Sequence, residues 1–466
     1  MYGKVTVEIL EHLKTIVGEA YVLVDNEALD KYSHDETEDL KFIPEVVVKP
    51  RTADEISSIF KLCNKNLIPL TPRGAGTGLS GGALPVEKGI LLSMERFNTI
   101  IEIDERNLQA TVEPGVINQV FQDAVKEKGL FYPPDPASKG SCFIGGNLAE
   151  NSGGPKAVKY GVTKDYVLNL EVVLPTGEIL WTGANVLKNS TGYNITQLMV
   201  GSEGTLGIIT KAVFRLIPYP KFDLLMLVPF VSAQEACSAV AAIFNAGIIP
   251  SAMELMERDA ILWGKRFIND TAIVIEDNTE AHLLIEVDGN DIEVLYKDCE
   301  LIYQVLENFK TGEILFADDS TQKEKLWKIR RVMGEAVKSQ SIYKEEDTVV
   351  PRAELPKLLK GVKEIGAKYG FKSVCYGHAG DGNLHVNIIK DNMSDEAWNN
   401  ELPQGIAEIF LLCVQLKGTI SGEHGIGYVQ KLYMNIPFGE KMLWLQKQIK
   451  SVFDPNNILN PSKMFP

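Results

Sequence analysis

IPLTPRGAGTGLSGGALP, residues 68–85, contains Gly76-Thr77-Gly78-Leu79-Ser80-Gly81, formally the GxGxxG of a dinucleotide-binding turn after a short strand. That fold needs a helix opening directly on the loop and an acidic residue at the end of the next strand. Gly81-Gly82-Ala83-Leu84-Pro85 cannot open a long helix, and the following segment, Gly89–Met94, reads as another strand. A doubly wound dinucleotide fold is therefore rejected. The loop keeps another capacity, because successive amides in a glycine-rich turn form an anion-binding nest, to which Arg73 and Thr77 add donors. The competing reading is a tight irregular turn that needs positive φ and binds nothing.

Around this loop, residues 1–220 alternate glycine loops with short β-branched runs such as PEVVVKP, KGILLSM and LQATVEPG, which predicts sheets. Helices are expected at Thr52–Asn66, with Thr52 as cap and Glu55 three residues on, and at Ile117–Lys128. Ile217-Pro218-Tyr219-Pro220 reads as a linker. Residues 221–425 mix helices (Gln234–Ala246, Ile292–Phe309, Thr321–Ser339, Pro356–Tyr369) with strands such as AHLLIEVDG, an α+β pattern of antiparallel sheet and helices. Residues 426–466 form a helix and the closing loop FDPNNILNPSKMFP.

The chain has 466 residues, 45% of them hydrophobic and 23% charged, enough apolar material for two or three folded domains and incompatible with disorder. With 47 basic against 62 acidic residues the net charge is −15, which disfavours nucleic acid and anionic membrane surfaces as partners. The most apolar run, Phe222 to Val231, is broken by Asp223 and Pro229 and is too short to span a bilayer. The amphipathic N-terminus lacks the basic-then-apolar pattern of a signal peptide, so a cytoplasmic protein is expected. Six cysteines (63, 142, 237, 299, 375 and 413) stand singly with no CxxC, against both a thiolate-held iron–sulfur cluster and a disulfide framework.

Two further glycine loops, residues 133–161 and 201–208, join the first, pointing to one large polar ligand approached closely by backbone, as a nucleotide cofactor would be. Of only six histidines, His12, His34 and His282 read as structural or solvated. The other three fall in GHAGDGNLHVN (377–387) and SGEHG (421–425). His385 and Asn387 share a strand face by the two-residue period, and the Gly380-Asp381-Gly382 turn can fold His378 back towards them. Two imidazoles and the Glu423 carboxylate suit Zn²⁺, Mn²⁺ or Fe²⁺; alternatively these histidines only bond loop backbone. Arg330, in LWKIRR (326–331), reads from periodicity as a helix arginine, solvated or held for an anion.

The set PRGAGTGLSGG (72–82), PPDP (133–136), IGGNLAENSGGP (144–155), KYGVTKDYVL (159–168), GSEGTLGIIT (201–210) and NPSK (460–463) resembles the FAD-linked oxidases and dehydrogenases of the vanillyl-alcohol oxidase type. Within that family it is most similar to the branch of glycolate oxidase FAD subunits and D-lactate dehydrogenases. The resemblance implies an FAD-binding domain of the PCMH type over 1–220 (core about 40–220), a substrate domain over 221–425, and a C-terminal segment, 426–466, returning to the flavin. It places Arg73, Gly74, Ala75, Gly76, Thr77, Gly78 and Ser80 on the FAD pyrophosphate. Pro134, Asp135, Ser141, Gly145, Gly146, Asn147 and Asn151 would line the flavin, with Glu203, Gly204 and Ile209 near the ribityl–adenosine part and Asn460 near the ring. The motif loops offer no histidine for a covalent link, so FAD is expected to be non-covalent.

The same resemblance makes His378, His385 and Glu423 metal ligands, His424 the base, Asn387 a substrate contact and Arg330 the substrate-carboxylate residue. It implies oxidation of a short D-2-hydroxy acid, D-lactate or glycolate, with one domain supplying FAD and the other metal and base. Relatives that use 2-hydroxyglutarate carry Thr four residues and Lys fifteen residues after that arginine. Here those positions hold Gly334 and Glu345, with Lys344 displaced by one, which argues for a short substrate. Other flavin-dependent alcohol oxidation on the same scaffold is the alternative, disfavoured by the intact histidine loops. Electrons would pass to a quinone, an electron-transfer flavoprotein or an iron–sulfur subunit; the chain could meet a membrane through such a partner, and an oligomer is compatible with all of this.

Overall fold

A computed structural model describes residues 2–269 and 274–466. The chain divides into two compact units: Met1–Gly153 with Val162–Tyr219 and Glu423–Pro466, and Gly154–Gly161 with Pro220–Gly422.

In the first unit, strands Val22–Leu23, Val46–Val48, Ile90–Ser93 and Leu70–Arg73 lie side by side in that order, parallel except for the first pair. Helix Ala53–Asn66 begins where Thr52 accepts the Glu55 amide at 3.2 Å, while the Glu55 carboxylate accepts the Arg51 amide at 2.6 Å. Its Ile56, Ile59, Phe60 and Cys63 pack with Val46, Val48, Leu70, Ile90 and Leu92 in one core. Each such side chain contributes about 1.5–3 kcal/mol on burial. No helix opens on the glycine loop after Leu70–Arg73, and the chain proceeds to strand Ile90–Ser93. A five-stranded antiparallel sheet follows, in the order Ile100–Asp104, Gln109–Val112, Ile208–Arg215, Val167–Val173, Ile179–Trp181. Ile217–Pro218, expected as linker, instead pairs with Leu130–Phe131.

The second unit is α+β. Its seven strands run Leu315–Ala317, Phe222–Phe230, Ala281–Gly289, Ala252–Glu257, Lys372–Gly377, Asn383–Ile389, Tyr343–Val349, and each adjacent pair is antiparallel. The helix expected over Thr321–Ser339 is two, Ser320–Arg331 and Met333–Lys338. They part at Val332, two residues before Gly334, the weakest helix former of the run.

Residues Gly154–Gly161, placed by sequence in the first domain, group with the second unit. The reason is electrostatic: Lys156 bonds Glu286, Lys159 Nζ lies 2.6 Å from Asp288, and the Tyr160 hydroxyl donates to Asp288 at 2.8 Å. Both carboxylates are buried in strand Ala281–Gly289 and require such partners. The second unit ends at Gly422, three residues before the expected boundary, so Glu423 and His424 belong with the first unit and not with the substrate domain. Among the described residues all six cysteines are buried and unpaired, and no helix is long and apolar enough to cross a membrane.

Candidate active site

Strand Leu70–Arg73 delivers the glycine loop to a cavity of about 250 Å³ in the first unit. Arg73 and Gly74 through Gly78 form one wall; Gly145, Gly146 and Asn147, from helix Ile144–Glu150, form another. Arg73 is 8% exposed, its Nη1 has no hydrogen-bond partner among the described residues, and its guanidinium lies 5.7 Å from the Tyr32 ring centre. Burial presses its pKa down, yet a guanidinium stays charged and wants an anion. Gly76 holds φ at +76°, and a Cβ there would lie 2.1 Å from Arg73 Nη2, whereas Gly78 and Gly146 face open space. A buried guanidinium with one nitrogen unpartnered among the described residues, beside a run of small-residue amides, fits the FAD pyrophosphate. Arg73 and Gly74–Gly78 would hold it.

Gly204, Ile209 and Asn460 also reach the cavity. Five residues that the resemblance placed on FAD, Ser80 on the pyrophosphate and Pro134, Asp135, Ser141 and Asn151 on the flavin, do not line the cavity. The Ser80 carbonyl accepts the Tyr428 and Val429 amides at 2.8 and 3.2 Å. The Pro134 carbonyl takes the side-chain amides of Asn118 and Gln122 at 3.1 and 3.0 Å, and Asp135 faces Lys139 at 3.8 Å. Ser141 is exposed, and Asn151 turns the chain at φ 56° while accepting the Lys164 amide at 2.9 Å. Pro136, Ala137, Ser138 and Glu150 line the cavity instead.

Glu203 reaches the wall, but its carboxylate is engaged by the amides of Ile426 and Gly427 at 2.8 and 2.6 Å. It therefore anchors the loop after His424 and is not a free contact for the ribityl–adenosine part. Asn460 donates to the carbonyls of Gly82 and Glu203 at 3.2 and 2.9 Å. Lys463 donates to Gly82 and Leu84 carbonyls at 2.7 and 2.5 Å, and burial presses its pKa down to about 7. Glu423 accepts the Gly153 amide at 3.2 Å, and Glu423 and His424 both line the cavity, with Gly425 bending the loop at φ +77°.

The second unit gathers His378, His385 and Asn387. Asp347, His385 and Tyr376 sit opposite one another across three strands, as do Glu345, Asn387 and Val374, so these side chains share one face. The turn Ala379–Asp381, closed by Gly382 at φ +78°, brings the His378 and His385 rings to 5.3 Å between centres, nearly perpendicular. His378 Nδ1 lies 2.8 and 2.9 Å from the two oxygens of Glu254. A proton on Nδ1 donated to that carboxylate leaves Nε2 with its lone pair outward, the arrangement that orients a metal-binding imidazole. His385 Nδ1 is 3.4 Å from Glu345 and 3.7 Å from Asp347. Asn387 is fully buried beside the Tyr376 hydroxyl, and neither amide atom makes a well-formed hydrogen bond among the described residues. Two imidazoles among three carboxylates form a donor set that fits a divalent cation.

Arg330 departs from expectation. Its Nε and Nη2 both lie 2.7 Å from Glu254 Oε2, and it is 5% exposed. A buried guanidinium must be paired; Arg330 is committed to Glu254 and through it positions His378. Burial pushes the Glu254 carboxyl up, but His378 and Arg330 more than offset this and hold it below the usual range. The sequence reading overlooked Glu254, although AMELME (252–257) sets a carboxylate among apolar strand neighbours, a signal of a buried partner. Asp347 was also missed; it accepts the Ser421 hydroxyl and Gly422 amide at 3.0 and 2.8 Å and fixes the start of the histidine loop.

Residues 44–183 match the FAD binding domain family, and residues 219–464 match the C-terminal domain of FAD linked oxidases. The chain is 39% identical to glycolate oxidase subunit GlcD of Bacillus subtilis, covering 99% of this chain and 97% of that protein. It is 38% identical to D-lactate dehydrogenase of Anaerostipes hadrus (99% and 98% covered) and 31% identical to D-2-hydroxyglutarate dehydrogenase of Stutzerimonas stutzeri (98% and 98%). The fold is shared with p-cresol methylhydroxylase (TM-score 0.79, 19% identity, 98% of this chain and 96% of that one). It is likewise shared with 4-ethylphenol oxidase from Gulosibacter chungangensis (TM-score 0.78, 18% identity, 100% and 99%). A buried arginine with an unpartnered Nη1 among the described residues, over a glycine nest and on a chain matched almost end to end by these relatives, makes this an FAD-binding oxidoreductase of the FAD-linked oxidase family.

Proposed function

We propose that the chain oxidises a short D-2-hydroxy acid, D-lactate or glycolate, to its 2-oxo acid. The observation that carries the reading is the pairing of His378 with His385 over buried carboxylates, in a chain whose His424 lines the FAD cavity. His424 is assigned as the base that takes the substrate hydroxyl proton, which an imidazole does near neutral pH. His378, His385 and Glu423 are assigned as ligands of a divalent metal, which would supply a Lewis acid to hydroxyl and carboxylate. Bound FAD, held without a covalent bond, supplies the two-electron acceptor for the hydrogen on C2. Asn387 is assigned to substrate, since a buried amide with no well-formed hydrogen bond among the described residues wants a polar ligand.

Arg330 is not assigned as the carboxylate clamp, given its pairing with Glu254. Glu345 and Asp347 beside His385 would repel the second carboxylate of a diacid, so 2-hydroxyglutarate is a poorer substrate in this reading. Electrons leave to a quinone, an electron-transfer flavoprotein or an iron–sulfur subunit, because this chain has no cysteine cluster. The test is anaerobic flavin reduction by D-lactate, glycolate and D-2-hydroxyglutarate in the native protein and in His424→Ala. The variant should keep full FAD and metal while reduction by a monoacid slows about 10²–10⁴-fold. Loss of metal would make His424 a ligand, and a native rate would remove it from the chemistry.

A further inference from the structure

We propose that Glu150 is a cofactor-facing hydrogen-bond donor, a carboxyl that meets bound FAD from the cavity wall and sets both its affinity and its reduction potential. Glu150 ends helix Ile144–Glu150 and lines the cavity. Its Oε2 is closed to solvent and has no hydrogen-bond partner among the described residues. Two glycines make room for it: a Cβ on Gly425 would lie 2.0 Å from Oε2, and one on Gly82 would lie 3.3 Å from Oε1. No side chain at either position competes for the carboxyl.

Of the neighbouring charged groups Glu203 and Lys463 are already engaged, while the Asp35 carboxylate, whose Oδ2 also lacks a partner among the described residues, adds negative charge. Glu203 holds the Ile426 and Gly427 amides. Lys463 donates to Gly82, Leu84 and Asn460, and it makes no ion pair with Glu150 among the described residues. Burial first, and then the negative charge of Glu203, raise the Glu150 pKa well above the carboxylate range. A buried protonated carboxyl has one O–H to donate and loses free energy if it finds no acceptor. The described residues offer Oε2 none, whereas an FAD bound in this cavity would bring carbonyl oxygens and ring nitrogens that can accept. The inference depends on flavin binding alone and stands or falls apart from the choice of 2-hydroxy acid, metal or base.

The test compares Glu150→Gln, which keeps size and a donor, with Glu150→Ala. Apoprotein is titrated with FAD, and the visible spectrum and midpoint potential of each reconstituted protein are recorded without substrate. Removing the donor should weaken FAD binding about 10-fold, the equivalent of one hydrogen bond, and shift both flavin bands and potential. Glu150→Gln should remain within about 3-fold of native affinity. Native affinity, spectrum and potential in Glu150→Ala would overturn the proposal. So would a Glu150→Gln variant as impaired as Glu150→Ala, because shape and not donation would then be at stake.

Discussion

At Gly76 the left-handed backbone and the 2.1 Å approach of Arg73 to a would-be Cβ leave no room for a branched side chain. Gly76→Val should therefore lose flavin, seen as the ratio of absorbance near 450 nm to protein; a fully yellow variant would separate this loop from the cofactor. In the other unit, the proposed metal assignment means that His385→Ala should fail to take up a divalent metal while retaining FAD, checked by elemental analysis of reconstituted protein; equal metal in native and variant would reassign the site. Glu254→Gln should weaken metal binding about 10–100-fold, as removal of a histidine-orienting carboxylate does, with FAD content unchanged. The sequence made Arg73, the glycines and the paired histidines legible because their chemistry is concentrated in short loops. It did not reveal which atoms are already engaged. The Glu254 that binds Arg330 lies 76 residues away, and the backbone bonds that keep Ser80, Pro134 and Asn151 out of the cavity leave no mark on composition.

Elements with a local cause were the most readable. Helix Ala53–Asn66 starts where a hydroxyl meets the Glu55 amide, and strand Ala281–Gly289 coincides with the apolar run AHLLIEVDG. Thr52→Ala should cost about 1 kcal/mol through the lost cap, measured as a lower midpoint in urea with an unchanged slope. A larger loss would mean that Thr52 supports more than its helix. Where position in the tertiary structure decides, the pattern was silent. Ile217–Pro218 becomes a strand only because Leu130–Phe131 lies alongside, and the break at Val332 interrupts a sequence that reads as one continuous helix.

For the whole molecule, the sequence-based boundary near residue 220 lies one residue from the observed passage at Tyr219 and Pro220. The excursion over Gly154–Gly161 was hidden in a motif that reads as part of the cofactor half. Replacing Lys156 and Lys159 together with Met should leave Glu286 and Asp288 buried without their cations, at a cost of about 3–5 kcal/mol in denaturant unfolding. A native midpoint would show that solvent compensates those carboxylates. The same excursion constrains recombination between related genes. A crossover at the 219/220 junction would look harmless by length and domain content, yet it would take two lysines from one parent and their two acidic partners from the other. Chimeras joined there should survive only when both parents agree at those four positions, so eight residues early in the gene must be inherited with the half that follows.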